Sequence, residues 1–169
     1  MDGTLLETDV LAEGMKALAH RPLACASALS ALALGGRPPF KRRIASLAAL
    51  DVERLPVRST FADWLRDEKS SGRILWLATA ADRGTAEKVA ARFGLFDGVI
   101  ASDGATNLKA HAKRRALQSL FPEGFAYAGD SAADLHVWRN AGAIVLVGAS
   151  ARTTSRAEAL GIPIERRFA

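Results

Sequence analysis

The segment Ala143-Ile144-Val145-Leu146-Val147 constrains this chain more than any other. An unbroken apolar run with β-branched residues at 144, 145 and 147 is stable as a strand only when both of its faces are covered. It is not alone. Arg73-Ile74-Leu75-Trp76-Leu77-Ala78-Thr79, Gly98-Val99-Ile100-Ala101 and Phe125-Ala126-Tyr127-Ala128-Gly129 read the same way. Between these runs lie helical patterns over 82–93, about 109–121 and 132–140. In the first, Ala86, Val89, Ala90 and Phe93 recur on one face, and Gly94 follows as a left-handed cap. Strands alternating with helices across short connections predict an α/β domain with a Rossmann-like parallel sheet.

The first third is different. Residues 8–71 contain no strand-like alternation, and their helical stretches are broken at Pro22, Gly35-Gly36, Pro38-Pro39 and Pro56. Phe40, Ile44, Leu47 and Ala48 form one apolar face, and Phe61, Trp64, Leu65 and Glu68 belong to a longer helix that leads back into the sheet. The expected organisation is a core formed by 1–9 and 57–169, with 10–56 inserted as a helical unit. A chain of 169 residues accommodates one such domain with a small insertion.

Composition narrows the function classes. With 49% hydrophobic and 24% charged residues, the chain is neither disordered nor collagen-like. The net charge of +5 suits an anionic partner or solvated arginine-rich faces, but no basic run is interleaved with aromatics, so nucleic acid is not expected as a partner. The apolar run Pro22 to Leu34 falls short of the roughly 18 residues a membrane span requires. Met1-Asp2-Gly3 does not open a secretory signal, and Cys25 has no intramolecular partner, so a cytoplasmic location is expected. Lys41-Arg42-Arg43 beside the apolar run could touch a membrane surface or a phosphate-bearing substrate, or be a solvated helix face. His20, His111 and His136 have no paired ligand spacing for zinc, and Trp64, Trp76 and Trp138 read as packing residues.

Three short stretches could carry chemistry. Asp2-Gly3-Thr4-Leu5 is either a plain turn or a catalytic loop. Thr79 ends a buried strand, where its hydroxyl can cap the next helix or hold a phosphate at the carboxyl edge of the sheet. Gly129-Asp130-Ser131-Ala132-Ala133-Asp134 brings two carboxylates to another strand end, suited to a magnesium ion or to capping.

Taken in order, Asp2-Gly3-Thr4-Leu5, Thr79, Lys109 and Gly129-Asp130-x-x-x-Asp134 resemble the four motifs of the haloacid dehalogenase (HAD) superfamily of hydrolases. The resemblance spans residues 2–147, and the helical insertion occupies the position of that family's cap. It implies a magnesium-dependent phosphatase with a phosphoaspartyl mechanism, acting on a small-molecule or lipid-linked phosphate. Asp2 then matches the acid–base aspartate, Thr79 and Ala80 the phosphate-holding loop, and Lys109 the lysine that neutralises the transition state, with Lys113 as runner-up. Magnesium would be held by Asp130 with the backbone carbonyl of Asp2, and Asp134 would support the site from the same loop.

The segments Leu77-Ala78-Thr79-Ala80-Ala81-Asp82, Ser102-Asp103-Gly104, Asn107-Leu108-Lys109 and Gly129-Asp130-Ser131-Ala132-Ala133-Asp134 further resemble the HAD domain fused to membrane prenyltransferases of the ubiquinone-biosynthesis type. That implies a prenyltransferase partner and a place at the inner face of the membrane. The same resemblance puts the nucleophilic aspartate two positions before Asp2, ahead of Met1, on a strand lying between those that end at Thr79 and Gly129. The expectation is a natural chain that begins upstream, with the 169 residues inactive by themselves and a gap in the sheet. The alternative is a non-catalytic regulatory or docking domain of a membrane prenyltransferase.

Overall fold

The computed structural model describes residues 1–103, 108 and 111–169. Helices α1 (Val10–Leu18), α2 (Pro22–Gly35) and α3 (Arg37–Ala48) come first, followed by a 3-10 turn at Val52–Arg54 and helix α4 (Ser59–Ser70). The chain then alternates: β1 (Trp76–Asp82), α5 (Arg83–Phe93), β2 (Gly98–Ser102), α6 (His111–Leu120), β3 (Ala126–Gly129) and α7 (Leu135–Trp138). It ends with β4 (Ala143–Val147), α8 (Ala151–Glu158) and β5 (Ile164–Phe168). All strand pairs are parallel, and the fold is the α/β, Rossmann-like arrangement that the apolar runs predict.

The sheet is in two pieces. One has the order β1-β2 and the other β3-β4-β5. Strand β4 explains why 143–147 is apolar throughout. Val145 and Val147 pack with Leu5, Leu6, Phe61 and Leu77 on one face, whereas Ile144 and Leu146 pack with Ile100, Leu117 and Trp138 on the other. Helices α1, α2 and α3 gather around a third cluster, Leu18, Ala24, Ala28 and Ile44, separate from both faces of the sheet.

Several sequence expectations shift. The first strand begins at Trp76 rather than Arg73 and continues to Asp82, so Thr79 lies within it rather than at its end. Pro38 and Pro39 do not break a helix; they occupy the first turn of α3, where a missing N–H leaves no intrahelical bond unmade. The helix expected over 132–140 narrows to Leu135–Trp138 flanked by turns. Trp76 is no core residue: it is 37% exposed, in contrast to fully buried Trp138. Helix α2 turns Ala24 and Ala28 inward and leaves Leu23 (87%) and Leu34 (91%) exposed. Two of the three histidines, far apart in sequence, are brought together by the fold: the rings of His111 and His136 lie 4.5 Å apart.

Candidate functional site

The loop between Met1 and Asp9 is held from several sides. The amides of Leu5 and Leu6 donate to the Met1 carbonyl at 2.9 and 3.0 Å, and Leu6 bridges to Val57. Arg58, at the start of α4, donates to the carbonyls of Thr4 (3.3 Å) and Gly3 (3.4 Å) and to Ala169. Gly3 has φ 70°, and a Cβ there would stand 2.5 Å from Oδ2 of Asp130. Glycine therefore permits both the turn and the approach of the loop backbone to that carboxylate. Thr4 Oγ1 completes the junction by donating to Asp130 Oδ1 at 2.8 Å.

The loop after β3 is organised by Asp134. Its Oδ2 accepts from the amides of Asp130 (3.2 Å) and Ser131 (3.1 Å) and from Ser131 Oγ (3.2 Å), while Oδ1 accepts from Tyr127 Oη at 3.3 Å. These bonds aim the Asp134 carboxylate at its own loop. Gly129 makes room for it, because a Cβ there would stand 2.7 Å from the carboxyl group.

Helix α6 contributes Lys113. Its Nζ donates to Tyr127 Oη at 2.9 Å and lies 4.0 Å from Asp134 Oδ1. Burial pushes the Lys113 ammonium below its ordinary value, against the pull of Asp134, Asp130 and Asp2. Burial, reinforced by Asp134, raises the Tyr127 phenol well above its usual range. Asp2 and Asp130 are both raised, chiefly by burial; the Met1 amino group opposes the shift at Asp2, and the Thr4 hydrogen bond opposes it at Asp130.

Thr79 is buried, and its Oγ1 accepts from the amide of Ala81 at 3.1 Å. The carbonyl of the adjoining Ala80 accepts from Lys41 Nζ of α3 (2.7 Å) and from Ser102 Oγ (2.9 Å), so a helix of the insertion reaches the strand end directly.

A cavity of about 500 Å³ is lined by Asp2, Thr79, Ala80, Lys113, Asp130 and Asp134. The structure thus brings together five of the six residues singled out in the sequence, together with the runner-up lysine. Lys109 lies outside the described residues. Sequence reasoning gave Tyr127 no role, named Thr4 only as part of the Asp2-Gly3-Thr4-Leu5 loop, and offered Lys41 only as one of a basic run that could meet a membrane surface, a phosphate or solvent. The Gly-Thr pair after Asp2 and the Tyr127–Lys113 side-chain bond carried no separate signal, but Lys113 did: it shares a helix face with buried Leu117.

The chemistry of the donors fits magnesium. Asp130 and the Asp2 carbonyl are hard oxygens beside the Gly3 turn, and that ion needs one or two carboxylates, keeping water or phosphate oxygens elsewhere. Among the described residues no three His, Cys, Asp or Glu side chains cluster as a complete protein cage.

Comparison with known proteins gives the same picture of the fold. It is the HAD-type fold. A substrate-bound phosphoserine phosphatase superposes with a TM-score of 0.67 at 17% identity, covering 99% of this chain and 91% of that one. A protein of unknown function from Bordetella pertussis Tohama I superposes at 0.72 with 18% identity, covering 97% and 94%. In sequence, the chain is 38% identical over 165 residues to the uncharacterized protein y4nM of Sinorhizobium fredii, a match covering 97% of this chain and 32% of that protein. The chain therefore spans about a third of the length of that relative. No family model matches. Among the described residues no helix is long and apolar enough to cross a membrane.

Proposed function

We propose that this chain forms the phosphate-handling site of a magnesium-dependent, HAD-type phosphatase acting on a small phosphomonoester, with residues 10–56 as its cap. The observation that carries the reading is the convergence of Asp2, Thr79, Lys113 and Asp130 on one cavity, with an ammonium group buried among carboxylates. A solvated surface has no use for such an arrangement, whereas a phosphoryl group does. Lys113 takes the charge-neutralising role first expected of Lys109. Asp2, with its acidity weakened by burial, is suited to protonate a leaving oxygen and then to draw a proton from water. The Thr79 hydroxyl and the backbone at Ala80 hold phosphoryl oxygens. Asp130 and the Asp2 carbonyl hold the metal, which when bound offsets phosphate charge; Asp134 fixes the loop that presents Asp130.

Phosphoserine phosphatases share the fold, which supports a phosphorylated small molecule as the substrate class. A lipid-linked phosphate is the variant that would go with a membrane prenyltransferase partner.

The second reading, a non-catalytic docking domain of such a prenyltransferase, is favoured by one feature: helix α2 leaves the apolar side chains of Leu23, Leu29 and Leu34 exposed. Calorimetric titration with inorganic phosphate in magnesium separates the readings without needing turnover. The phosphatase reading expects binding that falls about tenfold or more in Lys113→Met and in Asp130→Asn. Folded variants that bind phosphate as well as the parent, or a parent that does not bind it, would sink the phosphatase reading.

A further inference from the structure

Helix α2 is apolar on the side it turns outward as well as on the side it buries. Ala24 and Ala28 point into the cluster around Leu18 and Ile44. At about 100° per residue, Pro22, Leu23, Ala26, Leu29, Ala33 and Leu34 fall on the opposite arc, all exposed, with Ser30 as the only polar side chain among them. The helix has 14 residues, so this strip runs for about 21 Å. A surface helix ordinarily presents charged or polar groups to water, and an apolar strip of that length marks a face that something else covers.

The leucines alone do not say what covers the strip, but the charge around it does. Residues 14–50 contain Lys16, Arg21, Arg37, Lys41, Arg42 and Arg43 and no Asp or Glu. Setting those six aside from the 23 Lys and Arg leaves 17 against 18 Asp and Glu, so this stretch carries the whole net charge of +5. Arg21 stands at the N-cap of α2, and Arg37 opens α3 just past the other end. Arg43 reaches along the flank of α2, donating from Nε to Ser27 Oγ at 2.8 Å, and Arg21 donates to the Leu47 carbonyl at 2.8 Å. Neither bond involves a carboxylate. Among the described residues Arg21, Arg37, Arg42 and Arg43 form no ion pair.

We infer that the outward face of α2, with the arginines around it, docks on an anionic lipid surface. The helix is too short to cross the roughly 30 Å of hydrocarbon in a bilayer, so it lies in the plane of the interface. Leu23, Leu29 and Leu34 enter the boundary between headgroups and acyl chains, and the arginines stay at the level of the lipid phosphates. A second copy of the chain is a poorer occupant, because a two-fold contact sets the same basic rim against itself. A protein partner needs an apolar face ringed by carboxylates in matching positions, whereas an anionic bilayer offers apolar depth and negative charge at every point. The inference rests neither on the phosphatase reading nor on a prenyltransferase partner.

Co-sedimentation of the purified chain with phosphatidylcholine vesicles, with and without about 30% phosphatidylserine, tests it. At about 0.1 M salt the parent should bind the anionic vesicles at least tenfold more tightly than the neutral ones, and about 0.5 M salt should remove most of that preference. Two variants change only exposed side chains: the triple Leu23→Ser, Leu29→Ser, Leu34→Ser and the double Arg37→Glu, Arg42→Glu. Both should keep the parent's circular dichroism and melting temperature and bind anionic vesicles about tenfold or more weakly. Leu29→Trp, which keeps the other leucines, should add fluorescence that moves to the blue and is quenched by brominated lipid on anionic vesicles alone. A parent that binds neither kind of vesicle, or both equally, would overturn the proposal. So would a folded leucine variant that binds as the parent does, or self-association of the parent that the leucine variant abolishes, which assigns the face to a second copy.

Discussion

Thr4 Oγ1 and Asp130 Oδ1, 126 positions apart in the chain, are joined by a hydrogen bond of 2.8 Å. That bond locks the first loop onto the end of β3 and sets the orientation of the carboxylate proposed to hold magnesium. Thr4→Val keeps the shape of the buried side chain and removes the donor. The expected cost is about 1 kcal/mol of stability, with weaker magnesium binding because Asp130 can rotate. Chemical denaturation and magnesium titration of the same variant check both halves.

Asp130→Asn should separate stability from binding. Burial and the neighbouring Asp134 raise the Asp130 carboxyl in the folded chain, so below its unfolded value both states are protonated. As pH rises through the unfolded value toward the higher folded one, the unfolded chain releases its proton first and stability falls. At neutral pH without metal, the asparagine variant should therefore melt higher than the parent. Adding magnesium should stabilise the parent alone. A variant melting lower than the parent in chelator at pH 7 would contradict this account.

Lys113 carries the opposite ionisation. Its folded value is lowered by burial, so between that value and the unfolded one near 10.5 the unfolded chain holds the proton and the folded chain does not. The unfolded state binds more protons there, and stability from this group rises with pH across that window. Relative to Lys113→Met, the parent should gain stability as pH is raised through the lysine range. Parallel melting curves at several alkaline pH values test the trend, and a constant gap between them would refute it.

Gly3→Ala is expected to be among the most damaging small substitutions. The residue has φ 70°, and its new Cβ would stand 2.5 Å from Asp130 Oδ2, so strain and displacement of the carboxylate act together. A loss of about 1–3 kcal/mol should accompany loss of magnesium-induced stabilisation. Gly72, also at positive φ but with nothing within 4 Å of a Cβ, is the control, and Gly72→Ala should leave metal binding intact.

Much of this was legible because local patterns and tertiary burial agree. The apolar run 143–147 is a strand with one residue set on each face, and Gly94 does cap α5 in the left-handed conformation at φ 62°. The site was legible in part, because Asp2, Thr79, Asp130 and Asp134 each sit beside a glycine or strand signal. Lys113 was harder to single out. Arg114 and Arg115 make it resemble a solvated cluster, and only its helical partner Leu117 indicates that it turns inward. Strand β5 left no clear mark either. Ile164–Phe168 carries Glu165, Arg166 and Arg167, and pairs with β4 alone, so backbone pairing rather than an apolar face defines it. Trp76 misled for a related reason: an aromatic in an apolar run reads as core, whereas here it lines the space between the half-sheets and packs on Phe121 while partly exposed.

The divided sheet also has a consequence for how the chain finds its shape. Strands β1 and β2 are joined through α5, and β3, β4 and β5 through α7 and α8, so each half is assembled from neighbours in sequence. Contacts of short sequence separation close small loops and form fast. The slow, entropically demanding step is left to long-range ties such as those of Thr4 to Asp130 and of Arg58 to Gly3 and Thr4, which bring the first loop onto the sheet ends.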